Sequence, residues 1–508
     1  MKKLIALSLA ALMLLFALVS CSGNQTDGSS DNPDDTVVET VIETNKWGDK
    51  QVDLGLPEEL DYQGVEIGIA CRPETRYRRE ISVDKQSDPL DMQIAIRNQW
   101  VQNFLNVKMK FIEAPEMWGN TTAYNIPNYV KTQAEAGALS EVDVIFGNAA
   151  FTTTPDMRPY IVNLNGDKMT YMNINKEYWN QSYVEKATCY DQLYYIVGDL
   201  TLTIYDKAMV TFVNLDDAAD AGITAESLYS SVYNNEWTFE KYANLATNYP
   251  YIDNNNNRTV DAGDQIRIST VRWSEALDGY YAAFNLSLLR ENDDKSHTVT
   301  VDGNETLKNG AAMVRDVYNS QGIFLGDTES IQRFYAGDSL FHVDILYRNA
   351  NQNLQLRNVD FNYAILPLPM YSSDQGAYYT TPQDAHNLIA VLKNHPEKFE
   401  AISAFLEAMA SKSYDEVRPY YIEKMVKGEY AADADSVNMV EIVMDGIIFD
   451  TPVIYSIDTA GRYGTSLWRA CSQANGKDVD TKWAEIQETV TTATRMFDMW
   501  FQGTQSME

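Results

Sequence analysis

The sequence predicts an α/β protein of two lobes, and three observations carry that reading. Short β-rich runs alternate with helical stretches at the start of the body, as in "GVEIGIAC" followed by "DPLDMQIAIRNQWVQNFLNV". Further strand-like runs around Ile145, Ile196 and Ile365 carry the pattern past the middle of the chain. A chain of 508 residues with 45% hydrophobic and 11% aromatic content fills at least two cores at usual domain sizes.

The N-terminus comes before any of this. Lys2 and Lys3 precede "LIALSLAALMLLFALVS", an apolar run that ends at small Ser20, which is the pattern of an export signal over residues 1–20. "LVSC", Leu18 to Cys21, resembles the bacterial lipobox, and that resemblance implies diacylation of Cys21 and an anchor at the outer face of the cytoplasmic membrane. The stretch "SGNQTDGSSDNPDD" has almost nothing to bury, so residues 21–60 are expected to form an acidic flexible tether. Nothing later offers about 20 uninterrupted apolar residues, so the expectation is a chain anchored to the membrane and not spanning it.

Charge narrows the partners. Seventy-two acidic residues against 40 basic ones give a formal charge of -32. A nucleic-acid partner is excluded, because a phosphate backbone needs a basic stripe and none is visible. Beyond Cys21 only Cys71, Cys189 and Cys471 remain, too few and too scattered for a disulfide framework or a zinc cluster, and all three are expected as small buried hydrophobes.

Along the body, "GVEIGIAC" reads as a strand and residues 88–107 as a helix. "KMKFIEA" reads as a strand, residues 126–139 as a helix, and "VDVIFG" as a buried strand stopped by glycine. That alternation means βαβ units and a mostly parallel sheet. Ligands on such sheets bind beyond the carboxyl ends of the strands, so the loops beginning at Arg72 and Asn148 are the places to look.

One later stretch carries a different chemistry. In "DNNNNRTVDAGD" the side-chain oxygens of Asp253, Asn255, Asn257, Thr259, Asp261 and Asp264 fall at places 1, 3, 5, 7, 9 and 12, the ligand spacing of a calcium loop. Arg258 takes the place where glycine eases the turn, and Asp264 replaces the longer bidentate glutamate. The expectation is a structural calcium ion; the alternative is a solvated, asparagine-rich turn.

From Ser140 onward "EVDVIFGNAAF", "CYDQLYYIVGDLTLTIYDKAMVTFVNLDDAADAGI", "NEWTFEKYANLAT", "FYAGDSLFHVDIL", "FNYAILPLPM" and "KFEAISAFLEAMASKS" follow one another. This order resembles the extracellular solute-binding proteins of ABC importers, family 1, the maltose-binding-protein-like class that carries oligosaccharides. The tail with "DSVNM" and "FD" resembles a clostridial subset of it. The resemblance implies a periplasmic-binding-protein-like fold, with two α/β lobes joined by hinge strands and a ligand cleft between them. It divides the chain into 61–203 plus 380–430 for the first lobe and 204–379 plus 431–508 for the second. It also implies a monomer that captures a sugar or another small solute and passes it to ABC permease subunits, with no catalytic cofactor.

Sugars offer hydroxyl rims and apolar ring faces, so their sites combine polar side chains with aromatic plates. The family places polar contacts in the loop holding Arg72 and Glu74, for which an exposed charge pair is the competing reading. It expects contacts after the "VDVIF" strand, at Asn148 and Phe151. Trp273 opens an aromatic stretch whose later members, Tyr280, Tyr281 and Phe284, read better as core. Tyr347 and Arg348 stand where the family presents an aromatic plate, Asp384 precedes a returning strand, and Trp468 begins a late helix on which many sugar-binding members stack a ring.

Two other classes compete. A glycoside hydrolase would need a carboxylate pair that sequence spacing does not reveal. There is no H-E-x-x-H, G-x-S-x-G or P-loop pattern, and the S-x-x-K of "SVDK" (82–85) lacks its partner motifs. A SusD-like glycan-capturing lipoprotein would be mainly helical with repeats.

Overall fold

The computed structural model describes residues 54–505 except 84–87, 115–125, 138, 262, 272, 327, 348–355, 357–358, 424–433 and 458–464. The export signal, Cys21 and most of the tether lie outside the described residues, as does Arg348.

The strands form two sheets. The first contains β1 (Val65–Cys71), β2 (Val107–Glu113), β3 (Val144–Asn148) and, from much later in the chain, β11 (Asn387–Val391), in the order β11-β3-β1-β2. β1 runs parallel to β2 and β3, while β11 adds antiparallel to β3 with Asn387 opposite Asn148. The second contains β4 (Met209–Asn214), β5 (Ile266–Val271), β8 (Ile323–Gly326), β9 (Ser339–Ile345) and β10 (Tyr363–Pro367), in the order β10-β4-β9-β5-β8. β6 (Leu289–Glu291) and β7 (His297–Val299) make a separate hairpin. The α/β, two-sheet expectation is met, and a mainly helical repeat of the SusD-like kind is not what the chain forms. The mostly parallel sheet holds for the first lobe only, because in the second β4 runs antiparallel to both of its neighbours, β10 and β9.

Local chemistry sets the first helix. Asp88 caps Pro89–Leu105 by accepting from Leu90 N at 2.8 Å, Pro89 sits where its missing N–H costs nothing, and Asn106 ends the helix in the left-handed region at φ 48°. Leu90, Ile94, Val101 and Leu105 are its buried stripe. β1 and β3 are nearly continuous apolar runs, as strands covered on both faces must be.

The chain crosses between the sheets at Thr203–Met209 and again before β11. It then weaves back: the helix Ala434–Asp445 packs on β10, and the short helix Thr451–Ile454 packs on the helix Gln181–Ala187 beside the first sheet. The last helix, Val479–Gln505, is 27 residues long, or about 40 Å at 1.5 Å per residue. Its Val479, Trp483 and Val490 join the second core, and its Phe497 and Phe501 join the first. The last helix therefore packs in both hydrophobic clusters. Cys71, Cys189 and Cys471 are buried free thiols. Among the described residues no helix is long and apolar enough to cross a membrane.

Candidate functional site

β3 ends at Asn148, whose side-chain oxygen caps the next turn by accepting from Ala150 N at 2.9 Å. The β3–β11 ladder continues past the strands, since Ala149 N donates to the His386 carbonyl at 3.0 Å and Ala150 N to the Asp384 carbonyl at 2.9 Å. This fixes residues 383–386 along the carboxyl end of the first sheet. From the second sheet, β5 ends at Val271 and the helix Trp273–Ala283 starts at once, bringing Ser274, Glu275 and Asp278 to the same space. The two carboxyl ends thus meet across a cleft, the place where sheets of this kind take their ligands.

The third wall comes from the tail. Phe449, Val453, Ile454 and Ser456 line the cleft, and Thr465 and Arg469 close it against the Trp273 helix. The tail is pinned by hydrogen bonds from Phe449 N to Ser182 Oγ (3.0 Å), from Thr451 Oγ1 to the Lys186 carbonyl (2.7 Å) and from Thr153 Oγ1 to the Ile454 carbonyl (2.6 Å).

The polar groups are held in place before any ligand arrives. Arg469 pairs with Asp278, which also accepts from Thr465 Oγ1 at 2.6 Å. Glu275 accepts from Gln383 Nε2 at 2.7 Å, bridging the second lobe to the crossing segment. The Tyr183 ring meets Phe449 edge-on at 4.8 Å, and His386 leans on the same ring at 5.7 Å. Burial pushes the His386 imidazole down to about 4, against the opposing hydrogen bond to the Gln383 carbonyl and with help from Arg72 and Lys207. The ring therefore stays neutral at ordinary pH.

Beyond Phe449 lies a second chamber, sharing Asp278, Thr381, Phe449, Val453 and Thr465 with the first. There Asp450 accepts from Tyr281 Oη at 2.7 Å and from Ser287 Oγ at 2.6 Å.

Among the residues singled out from sequence, Asp384 lines the cleft. Asn148 is buried as the cap just described, and Phe151 is buried one turn further on. Arg72 is not an exposed contact: it is 3% exposed, its guanidinium lies 3.3 Å over the Tyr77 ring, and it donates to Ala385 O and Asn387 Oδ1, both at 2.8 Å. Its neighbour Glu74 points to solvent away from the cleft lining. Trp273 opens its helix, with a side chain outside the described residues. Tyr347 is half-buried past the end of β9, its N–H on the Asp206 carbonyl at 2.9 Å, and does not line the cleft. Trp468 needs correcting as a stacking plate. It is fully buried, donates Nε1 to the Leu277 carbonyl at 2.7 Å and packs edge-on against Tyr281 and Phe284. Tyr280, Tyr281 and Phe284 are core, as expected.

Three of the lining residues not singled out stand next to ones that were: Ala149 beside Asn148, Ser274 beside Trp273, and Arg469 beside Trp468. At Asn148 and Trp468 the residue that lines the cleft is the neighbour of the one singled out. Phe449 carried a signal, as the first residue of the "FD" pair.

In the loop 253–264, Asp253 accepts from Asn257 N (3.2 Å) and Arg258 N (2.7 Å), and Asp264 accepts from Asn254 N (3.0 Å) and Asp261 N (2.9 Å). The Asn255 and Asn257 amides both donate to Asp261, and Thr259 Oγ1 donates to Asn257 Oδ1 at 2.6 Å. Among the described residues no three His, Cys, Asp or Glu side chains gather in a metal-holding group. A Ser269–His342–Asp344 string exists, with Ser269 Oγ 2.8 Å from His342 Nδ1 and His342 Nε2 3.2 Å from Asp344 Oδ2. All three are fully buried between β5 and β9 and none lines the cleft, so no substrate reaches the serine.

Residues 122–418 match the family described as bacterial extracellular solute-binding proteins, more than half of the chain. The chain belongs to that family. Solved structures place this solute-binding protein in the two-lobed fold. The galacto-N-biose-/lacto-N-biose I-binding protein of an ABC transporter from Bifidobacterium longum, in complex with lacto-N-biose, aligns at a TM-score of 0.52 and 12% identity, over 86% of this chain and 98% of that one. The cyclic alpha-maltosyl-1,6-maltose binding protein from Arthrobacter globiformis aligns at 0.54 and 11%, over 85% and 99%. A family 1 extracellular solute-binding protein from Bifidobacterium longum subsp. infantis aligns at 0.50 and 12%, over 83% and 100%. No curated protein matches the chain in sequence. The tail residues of the cleft wall, from Phe449 to Ser456 and from Thr465 to Arg469, lie beyond the family match.

Proposed function

We propose that this solute-binding protein captures a sugar or oligosaccharide in the cleft between its two sheets and delivers it, unchanged, to the permease of an ABC importer. The observation that carries the reading is the cleft itself. Carboxyl ends of both sheets face each other across it, with aromatic rings at Tyr183 and Phe449 and a rim of hydroxyl, amide and carboxylate groups, the combination that apolar sugar faces and hydroxyl edges require. The saccharides named for the structural neighbours agree with it. The chain is held at the outer membrane face through a lipid on Cys21 and works as a monomer. A calcium ion in the loop 253–264 braces the second lobe without taking part in capture.

Calorimetry against an oligosaccharide panel tests the central claim, with chromatography of the recovered sugar and solution scattering. One class of glycan binds reversibly, returns intact, and makes the protein more compact as the lobes close. Turnover of a glycan at enzymatic rates overturns the receptor reading. Fatty-acid labelling that is equal in wild type and Cys21→Ala overturns the anchor.

A further inference from the structure

Two buried polar atoms on the cleft lining have no hydrogen-bond partner among the described residues: His386 Nε2 and Tyr183 Oη. Their residues are 5% and 1% exposed, and both rings lean on Phe449. Unpaired polar atoms of this kind are rare in folded proteins, because each gives up its hydration for nothing. Both residues line the cleft and pack on the same Phe449 ring, so a ligand seated against that ring could supply the missing partners.

The state of His386 decides what it asks for. Its Nδ1 is 2.9 Å from the Gln383 carbonyl, an acceptor, so the ring proton sits on Nδ1 and Nε2 presents a lone pair. A lone pair accepts from an O–H or N–H and repels a carboxylate or phosphate oxygen. The surrounding charges point the same way. Among the described residues Glu275, Asp278 and Asp384 line the cleft with one guanidinium, Arg469, which is committed to Asp278. Tyr183, as a hydroxyl, suits either sense and places a second contact beside the first.

We propose that His386 and Tyr183 form a specificity subsite at the Phe449 ring that reads a hydroxyl donor on an uncharged saccharide and turns away acidic sugars. The subsite rests on the saccharide-receptor reading and deepens it. Half of it is built by the tail, since Phe449 orients both rings and comes from beyond the family match. The tail thereby becomes a determinant of which sugar is accepted.

The test uses the full chain and short neutral malto-, cello- and xylo-oligosaccharides, each beside a counterpart ending in a uronic acid. The neutral member of the bound class should bind at least tenfold more tightly than its acidic counterpart. Tyr183→Phe keeps the ring on Phe449 and should lose about tenfold, the size of one buried hydrogen bond left unmade. His386→Leu should lose as much, while His386→Gln, which retains an acceptor oxygen, stays within about threefold. The 15N resonance of His386 Nε2 should move on binding and that of Nδ1 should not, a readout that survives if a His386 variant fails to fold. Equal or tighter binding of the acidic members, or wild-type affinity in both Tyr183→Phe and His386→Leu, overturns the subsite while leaving the receptor reading intact. Binding of none of the saccharides overturns that reading, and the subsite with it.

Discussion

Arg469 Nε donates to Asp278 Oδ1 at 2.6 Å, tying the helix Ser466–Ser472 to the helix Trp273–Ala283 at the edge of the cleft. The guanidinium fork and the hydroxyl of Thr465, the N-cap of the same helix, share that one carboxylate, so the joint between the two helices depends on it.

Arg469→Ala leaves Asp278 with Thr465 and makes the cleft more negative. Affinity for the captured saccharide should fall at least tenfold. Stability should drop by about 1–3 kcal/mol, the range for stranding one partner of a largely buried pair. Arg469→Lys should recover only part of both, because an ammonium does not reproduce the fork. Calorimetry with a melting curve separates the two effects. A stability loss with unchanged affinity would reduce the pair to a strut.

A second dependence sits at a glycine. Thr380 N donates to the Gly446 carbonyl and Ile448 N to the Thr380 carbonyl, both at 2.9 Å, which joins the crossing segment to the tail just before both reach the cleft. A Cβ on Gly446 would run into the Tyr378 carbonyl, a backbone atom that cannot swing aside. Gly446→Ala should therefore cost about 1–3 kcal/mol by overpacking and weaken saccharide binding in the same variant, since Thr381 and Phe449 are displaced together. A melting temperature within a degree or so of wild type would show that the segment relaxes freely.

How far the site was legible follows from the same residues. Strand boundaries are visible in sequence because apolar runs start and stop at polar residues, and Asn148 and Asp384 were singled out that way. Which neighbour of a strand end faces the cleft depends on the partner strand's register, and the Asn387–Asn148 pairing joins residues far apart in the chain. Trp468 misled because a tryptophan at a helix start looks the same whether its N–H meets a ligand or, as here, the Leu277 carbonyl. The tail wall was hidden for a further reason: its place is set by contacts to Ser182, Lys186 and Thr153, and no local pattern encodes those.

Asp450 gives the protein a pH dependence with a definite sign. Burial pushes its carboxyl up to about 6 from an ordinary 3.8, against the hydrogen bonds from Ser287 and Tyr281. The folded state thus holds the proton more tightly than the unfolded chain. The stability this lends is full below pH about 4 and is lost as pH rises through about 6, by roughly 2–3 kcal/mol at most. Asp450→Asn should remove that part of the slope, because both hydroxyl partners can turn to accept from the new amide. Melting curves of the two proteins between pH 4 and 8 should converge at the acid end and part as pH rises, with the variant the more stable. Parallel curves would mean that Asp450 ionises in the folded state at an ordinary pH.

The loop 253–264 holds itself together through Asn255 and Asn257 amides donating to Asp261, and those amides hold the Asp261 carboxyl below its ordinary value. Half a turn of each amide would present an oxygen in place of the nitrogen, and with Asp253 and Asp261 the oxygens would then face one another. Such a set repels itself unless a cation sits among it. Calcium should therefore stabilise the folded chain by mass action, about 2.7 kcal/mol at a hundredfold excess over Kd, and chelation should lower the melting temperature. The double variant Asp253→Ala, Asp261→Ala should no longer respond. Saccharide affinity, measured well below the melting temperature, should change by no more than about threefold, because none of the six residues lines the cleft and a remote brace couples weakly to it. A melting curve indifferent to calcium would leave the loop as the hydrogen-bonded turn described above. Loss of saccharide binding on chelation would make the ion part of the capture site.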